Sequence, residues 1–523
     1  MMFKNELTYF TLLAEDKATL FHTKYEENVE LVKEELGKEY FMIINGKRVS
    51  SEVFFDDISP IDKRITVAKF PIAKEDDVIQ ALHIAKKSFI EWSKLDYKER
   101  IKIFKRTADL IRERKYELTA LLTYENGKNR YEAMAEVDEA IDFLQYYTYE
   151  MEKNEGYIKQ MFSAYPDEKC YSVLKPYGVF AVIAPFNFPL AITTGMCSAA
   201  MITGNTVILK PSSDTPLVAY KLCEILESAG LPVGVINLIT GPGNMVGDLL
   251  VTNDKVDGVV FTGSKEVGLS IYYKANSKRQ KPVITEMGGK NPVIVTPTAN
   301  INKAVEGIAI ASFGYSGQKC SACSRVYIHK TIYDEFINKL IDFTAKLKVG
   351  NPIERDTFMG PLINNFAYEK YLRYVNMASK DGKILFGGKY VTKGDLRYGF
   401  YVEPTIVSDL ESDHEIVKKE LFLPLLIVIP YNEFNEAINL CNDVEYGLTA
   451  GLYSNDKKEI EEFLNKIEAG VVYINRGRSA TTGAMVGSQP FVGWKSSGIS
   501  GKGTGGKYYL PLFMKEQSQT ICS

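Results

Sequence analysis

Between about residues 75 and 155, apolar side chains recur at helical spacing through "EDDVIQALHIAKKSFIEWSKL", "YKERIKIFKRTADLIRERKYELTALLTYENGK" and "YEAMAEVDEAIDFLQYYTYEM". That period predicts three amphipathic helices, the middle one stopped by Asn126 and Gly127. After Tyr177 the rhythm changes to short β-rich runs alternating with helical stretches: "GVFAVIAP", a helix near 190 to 203, "TVILKP", a helix from Thr215 to Gly230, "VINLIT", a helix after Gly243, "GVVFTG", a helix after Ser264, and "KPVITEMG". Strand and helix in alternation predict a parallel sheet with right-handed crossovers. Such sheets bind ligands at the carboxyl ends of their strands.

A second cycle follows, with "PVIVTP", a helix near 302 to 313, "SRVYIH", a helix from 331 to 346, "EPTIV", "PLLIVIPY", a helix at 432 to 441, "TAGLYS", a helix at 456 to 467 and "GVVYIN". Two α/β units in series are therefore expected. The last stretch, "GGKYYLPLFMKEQSQTICS", reads as an exposed strand with too little around it to form a core. A strand of that kind needs a partner, and another subunit is one source of it.

Composition narrows the class. A chain of 523 residues makes about three structural units at roughly 100 to 200 residues per domain. With 45% hydrophobic and 25% charged residues it is neither disordered, fibrous nor a disulfide scaffold. Its 63 basic and 66 acidic side chains leave a formal charge of -3, with no global footprint for nucleic acid or an anionic membrane. The runs "VFAVIAPFNFPLAI" and "LFLPLLIVIP" contain Pro and fall short of the ~20 residues of a membrane-spanning helix. The opening "MMFKNELTYFTLLAEDKATLFHTK" lacks the uninterrupted apolar run of a signal peptide, and seven cysteines point to free thiols. A cytoplasmic location is expected.

The stretch "FGYSGQKCSACSRVYIH" places Cys320 and Cys323 three apart. Structural zinc wants four ligands, but there is one pair, and the nearest histidine, His329, stands at the far end of an apparent strand. No metal site is expected. A thioredoxin-like pair should open a helix early in a small domain, and this one lies past residue 300. Two buried structural thiols and one working nucleophile remain. The small or polar flanks Gly314, Ser316, Gly317, Gln318, Lys319, Ser321 and Ala322 favour a pocket lined by backbone. Only four histidines exist, so a base for the thiol chemistry is sought among carboxylates. Glu286, at the end of an apolar strand and followed by two glycines, is one that burial would turn into a base. Taken alone, it also fits a solvated strand end.

In this order, "APFNFPLA", "GNTVILKPSSDTP", "FTGSKEVG", "TEMGGKNP" and "GYSGQKCSACSR" resemble the signature blocks of the NAD(P)-dependent aldehyde dehydrogenase superfamily. The resemblance runs from roughly residue 40 to 515, with Glu286 placed 34 residues before Cys320. More narrowly, "YSGQKCSACSR" and "TTGAMVGSQPFVGWKSSG" resemble the branch that oxidises L-glutamate γ-semialdehyde, the open form of 1-pyrroline-5-carboxylate, in proline catabolism. The resemblance implies an α/β fold: a Rossmann-like cofactor domain from 1 to 155 and 173 to 288, a catalytic domain from 289 to 480, and a small β oligomerisation extension from 156 to 172 and 500 to 523. It also implies a homo-oligomer.

By the same resemblance Cys320 attacks the aldehyde carbon, Asn187 and the Cys320 N–H hold the oxyanion, and Glu286 activates the water that hydrolyses the thioester. Cys323 would be a bystander on a helix that Cys320 begins. Lys210, Ser213, Gly263, Ser264, Glu420 and Phe422 would hold NAD, with Ser264 at a helix N-terminus facing the pyrophosphate. Glu139, Phe186, Ser321, Gly483, Ala484 and Phe491 would hold the small-molecule aldehyde. Another ω-carboxylated aldehyde, such as succinate semialdehyde, is the alternative substrate. A non-catalytic relative and a CoA-acylating one are the rival classes. Three positions depart from the family pattern. Ser213 replaces a Glu that would repel a 2'-phosphate, which leaves room for NADP. Leu423 replaces a Gly, which questions the local backbone, and Val492 replaces another.

Overall fold

The computed structural model describes residues 3–477 and 485–522. Two seven-stranded sheets dominate it. The first runs in space as Val283–Glu286, Gly258–Thr262, Val179–Ile183, Thr206–Lys210, Ile236–Leu238, Met42–Ile44 and Lys47–Val49. The first five strands are parallel, and the last two add on antiparallel. Thr206–Lys210 is buried at every position, as a parallel strand covered by helices on both faces must be. The parallel strands begin at Val179–Ile183 and are added outward both ways from it, so strand order reverses between Val179–Ile183 and Gly258–Thr262. A crevice opens at such a switch point, beyond the carboxyl ends of the strands.

The second sheet runs Lys383–Phe386, Thr405–Ser408, Leu425–Tyr431, Cys323–His329, Asn291–Val295, Thr449–Tyr453 and Val471–Ile474. All its pairs are parallel except that of Lys383–Phe386 with Thr405–Ser408. Only Met287–Lys290 separates the end of the first sheet at Glu286 from the start of the second at Asn291. That short junction brings the carboxyl ends of one set of strands to the amino ends of the other.

The strand Met514–Cys522 is not an orphan. It pairs antiparallel with Glu168–Pro176 along its whole length, from Met514 opposite Pro176 to Cys522 opposite Glu168, and Ile158–Gln160 completes a three-stranded sheet. The partner was invisible to a local reading because more than 330 residues lie between them, the loop separation running from Pro176 to Met514.

The helical region also differs from expectation. Four helices, not three, fill it: Glu75–Trp92, Tyr97–Glu113, Lys115–Asn126 and Arg130–Lys153. Arg114, at φ -98° and ψ 17°, breaks the long middle segment. The Lys115 side chain turns inward there, to Asp138 at 2.8 Å and Glu6 at 3.2 Å. Apolar spacing persists across the break because both pieces pack on Arg130–Lys153, so periodicity alone does not reveal it. The stop at Gly127 is as expected, with φ 77°. Asn129 caps the next helix by accepting from the N–H groups of Tyr131 and Glu132, a contribution of about 1 kcal/mol.

Candidate active site

Asn187 follows the strand Val179–Ile183, Gly263 and Ser264 follow Gly258–Thr262, and Glu286 ends Val283–Glu286, so all four arrive at the switch-point crevice. Opposite them, the loop before Cys323–His329 carries Cys320. Cys323 begins that strand, and no helix starts at Cys320. The expectation of a helix fails because Tyr315, Ser316 and Gly317 all take left-handed backbone conformations, with φ of 49°, 55° and 68°. Two successive non-glycine residues there cost about 1–2 kcal/mol each.

Specific bonds hold this strained loop. The Tyr315 hydroxyl donates to the Asn126 carbonyl at 3.0 Å, and the Ser316 hydroxyl to that of Gly360 at 2.7 Å. Lys319 meets Glu132 at 2.6 Å, and the other Glu132 oxygen accepts from the Tyr315 N–H at 3.1 Å. At Gly317 a Cβ would stand 2.4 Å from the Leu423 carbonyl oxygen, so only glycine fits. Asn291 donates to the carbonyls of Cys320 at 2.7 Å and Ala322 at 2.9 Å, fixing the far side of the loop.

A cavity of about 90 Å³, counted as space for the centres of water-sized molecules, joins the two sides. Its walls include Cys320, Ser321, Glu286, Glu139, Phe188 and Phe491. Phe186 is not among them: its ring packs edge-on against Phe422 at 5.8 Å, and Phe188, two residues on, takes the wall position. Alternation of side chains about Asn187 was the one signal that could have separated the two. Gly483 and Ala484 lie outside the described residues.

Burial governs the electrostatics. It pushes the Cys320 thiol well above the usual range, reinforced by the Glu420 and Glu286 carboxylates and opposed by the N–H groups of Ser321 and Cys320. Burial likewise raises Glu286 well above an ordinary carboxylic acid, against the pull of the Gly493 N–H. Its Oε2 has no hydrogen-bond partner among the described residues, as suits a group that must take a proton from a mobile molecule. Glu139 is raised to about 7 by burial and then by neighbouring Glu136.

The Asn187 side-chain amide donates to the Gln318 carbonyl at 3.2 Å. Its own main-chain carbonyl accepts from the Lys128 ammonium at 2.5 Å, and Lys128 pairs with the buried Glu136. Glu136 also accepts from the Leu190 N–H at 2.8 Å, at the start of the helix Ala191–Ile202. Sequence reasoning missed Lys128, Glu136 and Asn291, since nothing in the residues flanking a polar side chain shows that the fold buries it.

Several groups fit a dinucleotide. Ser264 caps the helix Lys265–Ala275, its hydroxyl accepting from the Val267 N–H at 3.3 Å, and that helix N-terminus stands just past the carboxyl end of Gly258–Thr262, where an anion is favoured. Gly263 donates to the Glu286 carbonyl at 3.1 Å. Lys210 is buried, lowered to about 8 by desolvation, and donates to the Pro211 carbonyl at 2.8 Å. The Ser213 hydroxyl donates to the Gly241 carbonyl at 3.2 Å. Glu420, raised to about 7 by burial, accepts from the Gly289 N–H at 2.9 Å, and a Cβ on Gly288 would stand 2.1 Å from its Oε2. The doubt over Leu423 resolves here: Phe422, at φ 59°, takes the left-handed conformation, and Leu423 does not.

Residues 47–518 match the aldehyde dehydrogenase family. The chain is 42% identical over 526 aligned residues to "1-pyrroline-5-carboxylate dehydrogenase 1" of Halalkalibacterium halodurans, covering 99% of this chain and 98% of that one. Among solved structures, 1-pyrroline-5-carboxylate dehydrogenase from Thermus with bound NAD superposes with a TM-score of 0.93 at 35% identity, over 100% of this chain and 99% of that one. Proline utilization A from Bdellovibrio bacteriovorus, inactivated by N-propargylglycine, gives 0.93 at 34% identity, and there this chain spans 53% of the longer protein.

Proposed function

The chain belongs to the aldehyde dehydrogenase family, and from that premise we propose that it oxidises L-glutamate γ-semialdehyde to L-glutamate with NAD, a step of proline catabolism. The carrying observation is one cavity whose walls bring together Cys320, Glu286, Ser321 and Glu139. The full-length likeness to 1-pyrroline-5-carboxylate dehydrogenases supports the same reading.

Cys320, as thiolate, adds to the aldehyde carbon. The developing oxyanion meets the Asn187 side-chain amide and the Cys320 N–H. Lys210, Ser213, Gly263, Ser264, Glu420 and Phe422 would hold NAD, whose oxidised nicotinamide would accept the hydride that the Cys320 thiohemiacetal loses on becoming a thioester. Glu286 then takes a proton from the water that attacks the thioester carbonyl, and the Cys320 thiolate leaves as the acid forms. A carboxylate with a raised pKa is suited to that step, because it accepts a proton readily near neutral pH. Phe188 and Phe491 exclude water along the aliphatic stem. Ser321, with Gly483 and Ala484, receives the distal carboxylate.

The reading carries a division of labour along the chain. Residues 1 to 155 and 173 to 288 bind the cofactor, 289 to 480 carry the thiol, and 156 to 172 with 500 to 523 join subunits of a cytoplasmic homo-oligomer. No helix among the described residues is long and apolar enough to cross a membrane.

Initial rates of NADH and NADPH formation with glutamate semialdehyde, succinate semialdehyde and propanal test the substrate. Strong preference for the first is expected. Equal rates on all three would refute the distal carboxylate site and leave the thiol chemistry standing.

A further inference from the structure

The segment Phe3–Thr8 lies far in sequence from the chemistry, yet it touches the wall of the cavity. The Asn5 side-chain amide uses both its hydrogens: one goes to the Asp142 carboxylate at 2.8 Å, the other to the Val486 carbonyl at 2.9 Å. Val486 is buried and lines the cavity together with Met485 and Gln489. The Phe3 ring packs edge-on to Tyr146 with centroids 5.1 Å apart. It also lies against Gly487, where a Cβ would come within 2.7 Å of it.

Residues 485–489 form a tight turn closed by the Gln489 N–H donating to the Met485 carbonyl at 2.8 Å, and the Gly487 N–H donates to Gly505 at 2.8 Å. The outer side of this turn therefore rests on Phe3 and Asn5. The segment is itself fixed to the helix Arg130–Lys153. The Glu6 N–H donates to Asp142 at 2.8 Å, and the Thr8 N–H and hydroxyl donate to Asp138 at 2.8 and 2.7 Å. Glu6 pairs with Arg112 at 2.7 Å. Glu139, on the same helix, faces the cavity. One helix thus supplies both a cavity carboxyl and the anchor points of the strap.

We propose that Phe3–Thr8 is a strap that positions the turn 485–489, and that Phe3 and Asn5 are thereby positioning residues that set selectivity for the distal end of the substrate. The proposal rests on the reading that the cavity walled by Met485, Val486 and Gln489 takes L-glutamate γ-semialdehyde. An unsupported turn would have to be ordered by the substrate itself, and that ordering cost appears as weaker binding of the substrates that use it. A short aldehyde that never reaches the turn is spared.

The test compares Asn5→Ala and Phe3→Ala with the unaltered enzyme, with Phe3→Leu as the variant that keeps an apolar contact. Two quantities are read: KM for glutamate semialdehyde and for propanal at saturating NAD, and hydrogen exchange of the amides of residues 485–489. The expected result is a KM for glutamate semialdehyde raised about fivefold or more, an unchanged KM for propanal, faster exchange at Gly487 and Gln489, and recovery in Phe3→Leu. Equal changes in KM for both aldehydes, or exchange that does not move, would overturn the strap. If the unaltered enzyme shows no preference for glutamate semialdehyde, the substrate reading fails, and the exchange rates alone decide the strap.

Discussion

The Asn187 amide and the Gln318 carbonyl, 131 positions apart, are joined by a hydrogen bond of 3.2 Å. The proposed oxyanion donor is thereby tied to the loop that presents the thiol. Asn187 is held from behind as well, by Lys128 on its carbonyl, so its amide is oriented before any substrate arrives. Electrostatic stabilisation of this kind is effective because the donor pays no reorganisation cost during the reaction.

Replacing Asn187 with Ala should reduce kcat about 10²- to 10³-fold, the usual cost of one oxyanion donor. Affinity for NAD, measured by fluorescence titration, should not change. A loss confined to KM would assign Asn187 to substrate binding instead.

Cys320→Ala should abolish NADH formation, whereas Cys323→Ala should retain most of it and cost only about 1 kcal/mol in stability. Cys323 opens a strand and is buried, with its thiol pushed up to about 12 by burial. Comparable loss in both variants would contradict a single working thiol. Because burial also raises the Cys320 thiol, alkylation of the cofactor-free enzyme by iodoacetamide should still be accelerating between pH 8 and 9, with no plateau near neutrality.

Glu286→Gln should separate the two halves of the reaction. A rapid burst of NADH equal to the number of sites should survive, followed by a steady state slowed about 10²- to 10⁴-fold, the range for loss of a general base. Stopped-flow absorbance distinguishes this from loss of the burst itself, which would place Glu286 in the first half.

Glu139 predicts a pH-dependent stability. Its carboxyl is raised from 4.5 to about 7 by burial, so the folded protein holds this proton more tightly than the unfolded chain. The stabilising contribution is complete below pH 4.5 and is lost as pH rises to about 7. Glu139→Gln removes the titration. The Tm difference, variant minus unaltered enzyme, should therefore grow from pH 4.5 to 7 and level off above it; a flat difference would show that the carboxyl is not raised.

Ser213→Glu should lower kcat/KM for NADP at least about tenfold relative to NAD. A carboxylate at that position would repel the 2'-phosphate, at a cost of about 1.4 kcal/mol per tenfold. Parallel decreases for both cofactors would instead indicate local damage.

The sequence by itself determined the two α/β cycles, because strand and helix periods are local and each run carries its own pattern. It also determined the order of Asn187, Lys210, Ser264, Glu286 and Cys320 and, for all but Cys320, their places at or just after strand ends, since those follow from where apolar runs stop. Only the tertiary structure decided which side chains share a cavity. Phe188 rather than Phe186 reaches it, because a turn sets which of two alternate residues points inward. Cys323 became a strand residue because three left-handed residues redirect the chain before it, and those are held by Asn126, Gly360 and Glu132 from elsewhere in the sequence. The break at Arg114, the partner of Met514–Cys522 and the contact of Asn5 with Val486 share that cause. Each depends on a hydrogen bond or ion pair between residues far apart in the chain, and such pairings leave no periodic trace in either segment alone.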